Sequence, residues 1–288
     1  MRVVGTLTTI PSRLLHIEKT LEHIKNQSRI LDDIYLTIPK ISLKGKEYPN
    51  VPEHYNNYCR VVRIEKDYGP VTKILGALYQ EKDPETIIIS FDDDQLYPSN
   101  LVELYLNKIQ LYPDAALGQI GFCVGQFPFY FNGHLNTKKH HWFILPEGSE
   151  VDILCGYSSV LYYRKFFPKL ENLEKEFLWY PMKYKSLRMQ DDIFISSYLS
   201  SLNHKRVSID GIIPTSVYLE NGLSHETIAF SLNFCQALFV SWYIGLLHSI
   251  SVKPMNTISG PFVLAFIIIL LVVIILIGCW FLFPELLD

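Results

Sequence analysis

The sequence predicts an α/β fold, a mostly parallel sheet with helices on both faces, followed by a separate membrane-spanning helix. Three observations predict it. Short β-branched runs alternate with stretches of helical periodicity over the first 112 residues. The fourth run, Ile87-Ile88-Ile89 with Phe91, is apolar throughout, as in a strand buried on both faces, and ends in Asp92-Asp93-Asp94. Residues 262–283 are uncharged and almost wholly aliphatic, long enough for the roughly 30 Å core of a bilayer.

The elements follow in order. Residues 3–9 read as a first strand running into the turn Thr9-Ile10-Pro11-Ser12-Arg13, then a helix with Leu14, Ile17, Leu21 and Ile24 on one face. Residues 34–38 form a second strand stopped by Pro39, and 41–58, with Pro49 and Pro52, a polar surface excursion. Residues 61–64 are the third strand. They lead through Asp67-Tyr68-Gly69-Pro70-Val71-Thr72-Lys73 into a short helix carrying Ile74, Leu75 and Leu78. After the fourth strand, Val102, Tyr105, Leu106 and Ile109 mark a helix that Pro113 closes.

The second half is less regular. Residues 127–142 are aromatic and loop-like, with Gly133, His134, His140 and His141. Residues 153–163 look like a strand pair around Gly156. A helix over 187–202 opens with Gln190-Asp191-Asp192, and Val207-Ser208-Ile209 is a short strand ended by Gly211. Residues 228–250 are uncharged, but Asn233, Gln236 and His248 interrupt them, which favours a packed or interfacial helix over a second span. The expected organisation is a domain over 1–250, a linker over 251–261, the span 262–283 and a short tail over 284–288.

Composition excludes several classes. A net charge of -3 leaves no nucleic-acid footprint. The 18 Tyr and 17 Phe suit a substantial core and a stacking or sugar-facing cleft. Five scattered cysteines without a C-x-x-C pair argue against a disulfide framework or zinc site and fit a reducing compartment. The sequence opens on a strand pattern and not on a signal peptide. Lys253 before the span, against Glu285 and Asp288 after it, places the large domain on the cytoplasmic side, as a single-pass protein anchored near its C-terminus.

The chemistry centres on the three aspartates. At the carboxyl end of a buried strand they sit where open α/β sheets bind ligands, and they repel one another unless compensated. Hard oxygen ligands favour Mg²⁺ or Mn²⁺, which arrive together with substrate phosphates. An acidic turn entering a helix is the plainer reading of the same residues.

Together these segments resemble the GT-A type of nucleotide-sugar-dependent glycosyltransferase, over roughly residues 3 to 237. The features that carry the resemblance are the Asp-X-Asp signature at Asp92-Asp93-Asp94, the turn from Thr9 to Arg13, the stretch from Asp67 to Lys73, and the later pair Asp191-Asp192. The resemblance implies Mn²⁺ or Mg²⁺, a nucleoside-diphosphate sugar donor, and a glycan, lipid or protein acceptor. It implies Asp94 as metal ligand with Asp92 beside it, and His225 as a further ligand. Asp92 and Asp93 would address the nucleotide, Arg13 and Lys73 the phosphates, and Thr9 and Asp67 the nucleoside. Asp192 would be the general base and Asp191 its orienting or acceptor-binding neighbour. Each has a plainer reading: Thr9 as a helix-capping residue, Arg13 and Lys73 as solvated cations, Asp67 as a turn acid, Asp191-Asp192 as favourable acids at a helix start, and His225 as an exposed loop histidine.

Two rivals stand beside this. Phosphatases that form an aspartyl-phosphate carry their acids on the first strand, and nucleotidyltransferases open with a glycine-rich loop that residues 6–13 lack. A degenerate transferase domain acting as a membrane-anchored binding or assembly module is the non-enzymatic alternative.

Overall fold

The computed structural model describes residues 1–123, 131–132, 146–211, 214–217, 236–238, 240–241 and 244–246. All lie in the unit Met1–Ser251; a second unit, Val252–Asp288, contains none of them.

The first half follows the predicted alternation: β1 (Val3–Thr8), α1 (Glu18–Lys25), β2 (Asp33–Pro39), β3 (Arg60–Ile64), α2 (Thr72–Gln80) and β4 (Ile87–Ser90). Then come β5 (Gln95–Leu96), α3 (Leu101–Lys108), β6 (Ala115–Gly118), β7 (Gly121–Phe122), β8 (Phe131–Asn132), β9 (Ser149–Glu150), β10 (Ile153–Leu154) and β11 (Val160–Tyr163). The series closes with α4 (Trp179–Lys183), α5 (Lys185–Met189), α6 (Asp191–Ser201), β12 (Lys205–Ser208) and β13 (Thr215–Ser216).

Eight strands make the central sheet, in the order β3-β2-β1-β4-β11-β6-β12-β9. From β3 to β4 every pairing is parallel, with Gly5 opposite Ile34 on one side and Ile89 on the other. All four residues of β4 are buried, as its apolar run requires of a central strand covered on both faces. Leu14, Ile17, Leu21 and Ile24 are fully buried, as are Ile74, Leu75 and Leu78 of α2, which packs on β1 and β2.

Beyond β4 the sheet departs from the expectation of a mostly parallel arrangement. β11 runs antiparallel to both β4 and β6, β12 is parallel to β6, and β9 is antiparallel to β12. The run Val160-Leu161-Tyr162-Tyr163 is buried at each position, so its side chains carry no alternation from which direction could be read. The expected strand pair over 153–163 is also corrected. β10 joins a separate sheet, order β10-β7-β8, while β11 enters the main one. Between them the chain makes a 3-10 turn over Gly156–Ser158, and Ser159 takes φ 75°, ψ 154°, a region that side-chain-bearing residues rarely occupy. The helix expected over 187–202 is two, because Gln190 leaves helical geometry at φ -133°, ψ 73°. α6 therefore starts at Asp191, with both acids in its first turn.

Among the described residues no helix is long and apolar enough to cross a membrane. The runs 228–250 and 262–283 lie largely or wholly outside them, as do most of 127–142 and His225.

Candidate active site

The site forms where β1 and β4 end side by side and α6 begins opposite them. Parallel pairing of β1 with β4 brings Thr9 and Arg13, just past one strand end, against the acids just past the other. Thr9 Oγ1 donates to Asp93 Oδ2 at 2.6 Å, and Arg13 Nη1 donates to Asp93 Oδ1 at 2.6 Å and to Asp94 Oδ2 at 3.3 Å. Thr20 Oγ1 holds the Asp93 carbonyl.

The three acids are not equivalent. The side chain of Asp93 is 10% exposed, whereas those of Asp92 and Asp94 are 29% and 31% exposed. Asp92 and Asp94 thus open outward and Asp93 points into the protein. Burial pushes the Asp93 carboxyl up to about 6, although Arg13 and Thr9 pull it down. The acids are shaped from behind by Tyr97, whose ring packs edge-on to Phe91 and whose hydroxyl accepts the Asp92 N–H at 2.7 Å. Past them, β5 pairs with β13, and the Val217 N–H donates to the Asp94 carbonyl.

Lys73 joins this strand end to α6. Its ammonium, carried on the first turn of α2, lies 2.6 Å from Asp92 Oδ1 and 2.8 Å from Asp191 Oδ2. Lys73 is only 4% exposed. Burial alone would favour its neutral form, but Asp191, Asp92 and Asp192 together hold its proton, and its pKa rises. Asp192, partly open to solvent, faces the turn at Gly156. A β-carbon there would stand 2.5 Å from Asp192 Oδ1 and 2.8 Å from Lys73 Nζ, so a side chain at 156 would displace one or both of these groups. Burial and the charge of Asp191 push the Asp192 carboxyl up to about 8, against Lys73 and the Gly156 N–H.

Set against the sequence reading, the geometry brings Thr9, Arg13, Lys73, Asp92, Asp93, Asp94, Asp191 and Asp192 together. Their contacts within the protein differ. Asp93 closes a buried triad with Thr9 and Arg13. Lys73 is paired with the carboxylates of Asp92 and Asp191. Asp67 is a turn acid: its two oxygens accept the N–H groups of Gly69 and Leu43, each at 2.8 Å. Gly69, at φ 76°, lets that turn pass the Arg188 carbonyl, 2.4 Å from where a β-carbon would sit. Tyr48 joins the site from the polar excursion, where nothing in the residue pattern marks it. Its hydroxyl donates to the Thr9 carbonyl at 3.0 Å, and burial, then the charges of Asp67 and Asp93, raise its pKa.

Among the described residues no three His, Cys, Asp or Glu side chains form a ready metal cage. The donor set instead suits an ion held by one or two carboxylates plus substrate phosphates and water. Asp94 and Asp92 are the outward-facing members that fit it.

No protein-family model matches this sequence, and no curated protein does. Solved structures do match. TarS of S. aureus is 11% identical over 88% of this chain and 41% of its own, with a TM-score of 0.53. The fragment TarS 1-349 is 13% identical over 88% of this chain and 67% of its own, again at 0.53. The mannosyltransferase PcManGT of Pyrobaculum calidifontis, in complex with GDP-Man and Mn²⁺, is 13% identical at a TM-score of 0.48. The chain therefore spans less than half the length of TarS. At such identities the likeness is one of architecture: the chain has the GT-A-like α/β fold of the TarS structures.

Proposed function

We propose that this chain is a metal-dependent glycosyltransferase that moves a sugar from a nucleoside diphosphate to a hydroxyl of a glycan, lipid or protein. The observation that carries the reading is the junction at Lys73, which ties the strand-end acid Asp92 to the acid pair opening α6. In this reading Asp92 and Asp94 serve the donor diphosphate, and Asp191 and Asp192 serve the acceptor. The GT-A-like fold shared with TarS supports the reading.

In the inverting form of the reaction, the acceptor oxygen attacks the anomeric carbon as the bond from that carbon to the diphosphate oxygen breaks. The bonding pair leaves with the diphosphate. The acceptor proton passes to the Asp192 carboxylate, and Asp191, fixed by Lys73, holds its neighbour at the helix start. Asp94 and Asp92 would hold the divalent ion, with His225 a further candidate; the ion supplies charge stabilisation to the leaving diphosphate. Arg13 and Thr9, through Asp93, keep the acidic turn in shape.

The apolar run 262–283 would hold the enzyme in a membrane, with the large domain on the cytoplasmic side. Release of nucleoside diphosphate from a panel of sugar nucleotides, with and without Mn²⁺, tests the activity. No release from any donor, with the protein folded, would leave the binding or assembly module as the better reading.

A further inference from the structure

The segment after β2 carries a feature that the reaction does not use. It folds back on itself: Ile41 bridges Glu47, the Ser42 N–H donates to the Lys46 carbonyl, and Gly45 turns at φ 72°. Apolar and basic side chains project from this small hairpin. Ile41 is 52% exposed and Leu43 43%, and Ile10, on the neighbouring turn after β1, is 39% exposed. Around them stand Lys40, Lys44 and Lys46, all exposed. Lys40 pairs with Glu65 at 2.7 Å; Lys44 and Lys46 have no ion-pair partner among the described residues. Three lysines against Glu47 give the hairpin +2 in a chain of net -3.

The hairpin is fixed at the rim of the site. The Leu43 N–H donates to Asp67, and Tyr48, just beyond it, donates to the Thr9 carbonyl. Exposed aliphatic residues beside unpaired lysines satisfy two requirements of an anionic bilayer surface at once. The lysines meet lipid phosphates, and Ile41 and Leu43 enter the headgroup boundary. A soluble acidic protein would match the lysines but not the exposed aliphatic residues beside them.

We propose that this hairpin, with Ile10, is a docking surface for anionic lipid, setting the mouth of the site against the membrane. The proposal uses the membrane placement above only for proximity, and the two fail separately. Alkaline carbonate extraction reports the apolar run, and a fluorophore reports the hairpin. An environment-sensitive fluorescent amino acid at position 43 of the full chain is compared in phosphatidylcholine vesicles and in vesicles with about one-third phosphatidylglycerol. A second fluorophore at Leu111, itself 64% exposed, serves as control.

The expected result is a blue shift at position 43 on the anionic vesicles only, with none at position 111. The shift should fall by roughly fivefold or more in Lys44→Gln/Lys46→Gln and in about 1 M salt. Neither lysine belongs to the site, so activity on a soluble acceptor should be unchanged in that variant. An equal shift on neutral vesicles, or none on either, overturns the proposal.

Discussion

Lys73 Nζ stands 2.8 Å from Asp191 Oδ2 at the start of α6 and 2.6 Å from Asp92 Oδ1 at the end of β4. One buried cation therefore neutralises two carboxylates from opposite sides of the candidate site. Without it, Asp92, Asp191 and Asp192 would face one another uncompensated. The arrangement binds stability and chemistry into a single contact.

Removing that cation while keeping the volume should be costly. Lys73→Met leaves the acids without their partner, and breaking a buried pair costs about 3–5 kcal/mol. Since Asp92 keeps 29% side-chain exposure, the lower end applies. Urea denaturation of the variant should show a lowered midpoint at unchanged slope. A midpoint within error of the parent would mean that Lys73 contributes nothing to the fold.

Gly156→Ala probes the same place from the other side. Its new methyl would overlap Asp192 Oδ1 and Lys73 Nζ, both of which can retreat only by leaving their positions. We expect transfer to fall on the order of a hundredfold, as for an active group displaced by about 1 Å. Stability should fall far less. Steady-state kinetics beside a thermal melt separates the two, and unchanged turnover would refute the placement of Asp192.

Much of this was legible in the sequence. The apolar run before the three aspartates marks a central strand end without any structure, and the helical periodicities place α1, α2 and α3. The order of the motifs likewise identifies the residues that meet. What they do when they meet was not legible. Lys73 reads as a phosphate-binding or solvated cation, because its helix periodicity gives no hint that the first turn is buried. Asp93 differs from Asp92 and Asp94 only through the pleat and the turn that follow. The direction of β11 depends on the strained connection at Ser159, and a serine there carries no signal of its left-handed backbone. Tyr48 comes to the site from a proline-bearing excursion whose path no pattern predicts.

The elevated pKa of Asp192, about 8, makes a signed prediction. An unfolded aspartate ionises near 3.9, so between about pH 4 and pH 8 the native state binds more protons. Stability due to this group is therefore full below that window and is lost as the pH rises through about 8. Asp192→Asn cannot ionise. It should gain stability relative to the parent between about pH 5 and pH 9. Its loss in transfer should be about 10²–10⁴-fold at about pH 9, where the parent carboxylate is ionised, and far less at about pH 5, where the parent is itself protonated. A stability difference that does not change with pH would refute the burial of its charge. Retained transfer with lost donor binding would move Asp192 to the donor side.

Asp94→Asn tests the metal. Asp94 accepts from Arg13 at 3.3 Å and from Gln95 at 3.1 Å, both weak bonds that an amide can partly replace, so the fold should persist. Divalent-dependent turnover should drop by at least about a hundredfold, with loss of Mn²⁺-dependent nucleotide binding by calorimetry. Full activity at unchanged Mn²⁺ dependence would remove Asp94 from the ion's ligands.

The last prediction concerns residues 262–283, which lie outside the described structure and rest on sequence alone. Their uncharged aliphatic run is long enough to cross a bilayer, and Lys253 precedes it while Glu285 and Asp288 follow. The full chain should therefore stay with membranes through alkaline carbonate extraction, whereas a chain ending at Met255 should not. The candidate site is assembled wholly from residues before Ser251, so the shortened chain should still transfer to a soluble acceptor. Toward a lipid-linked acceptor it should be weaker, because the span raises the local concentration of enzyme at the bilayer. Protease added to sealed vesicles with the cytoplasmic face outward should digest the large domain. Protection of that domain would reverse the orientation, and full extraction by carbonate would remove the span itself.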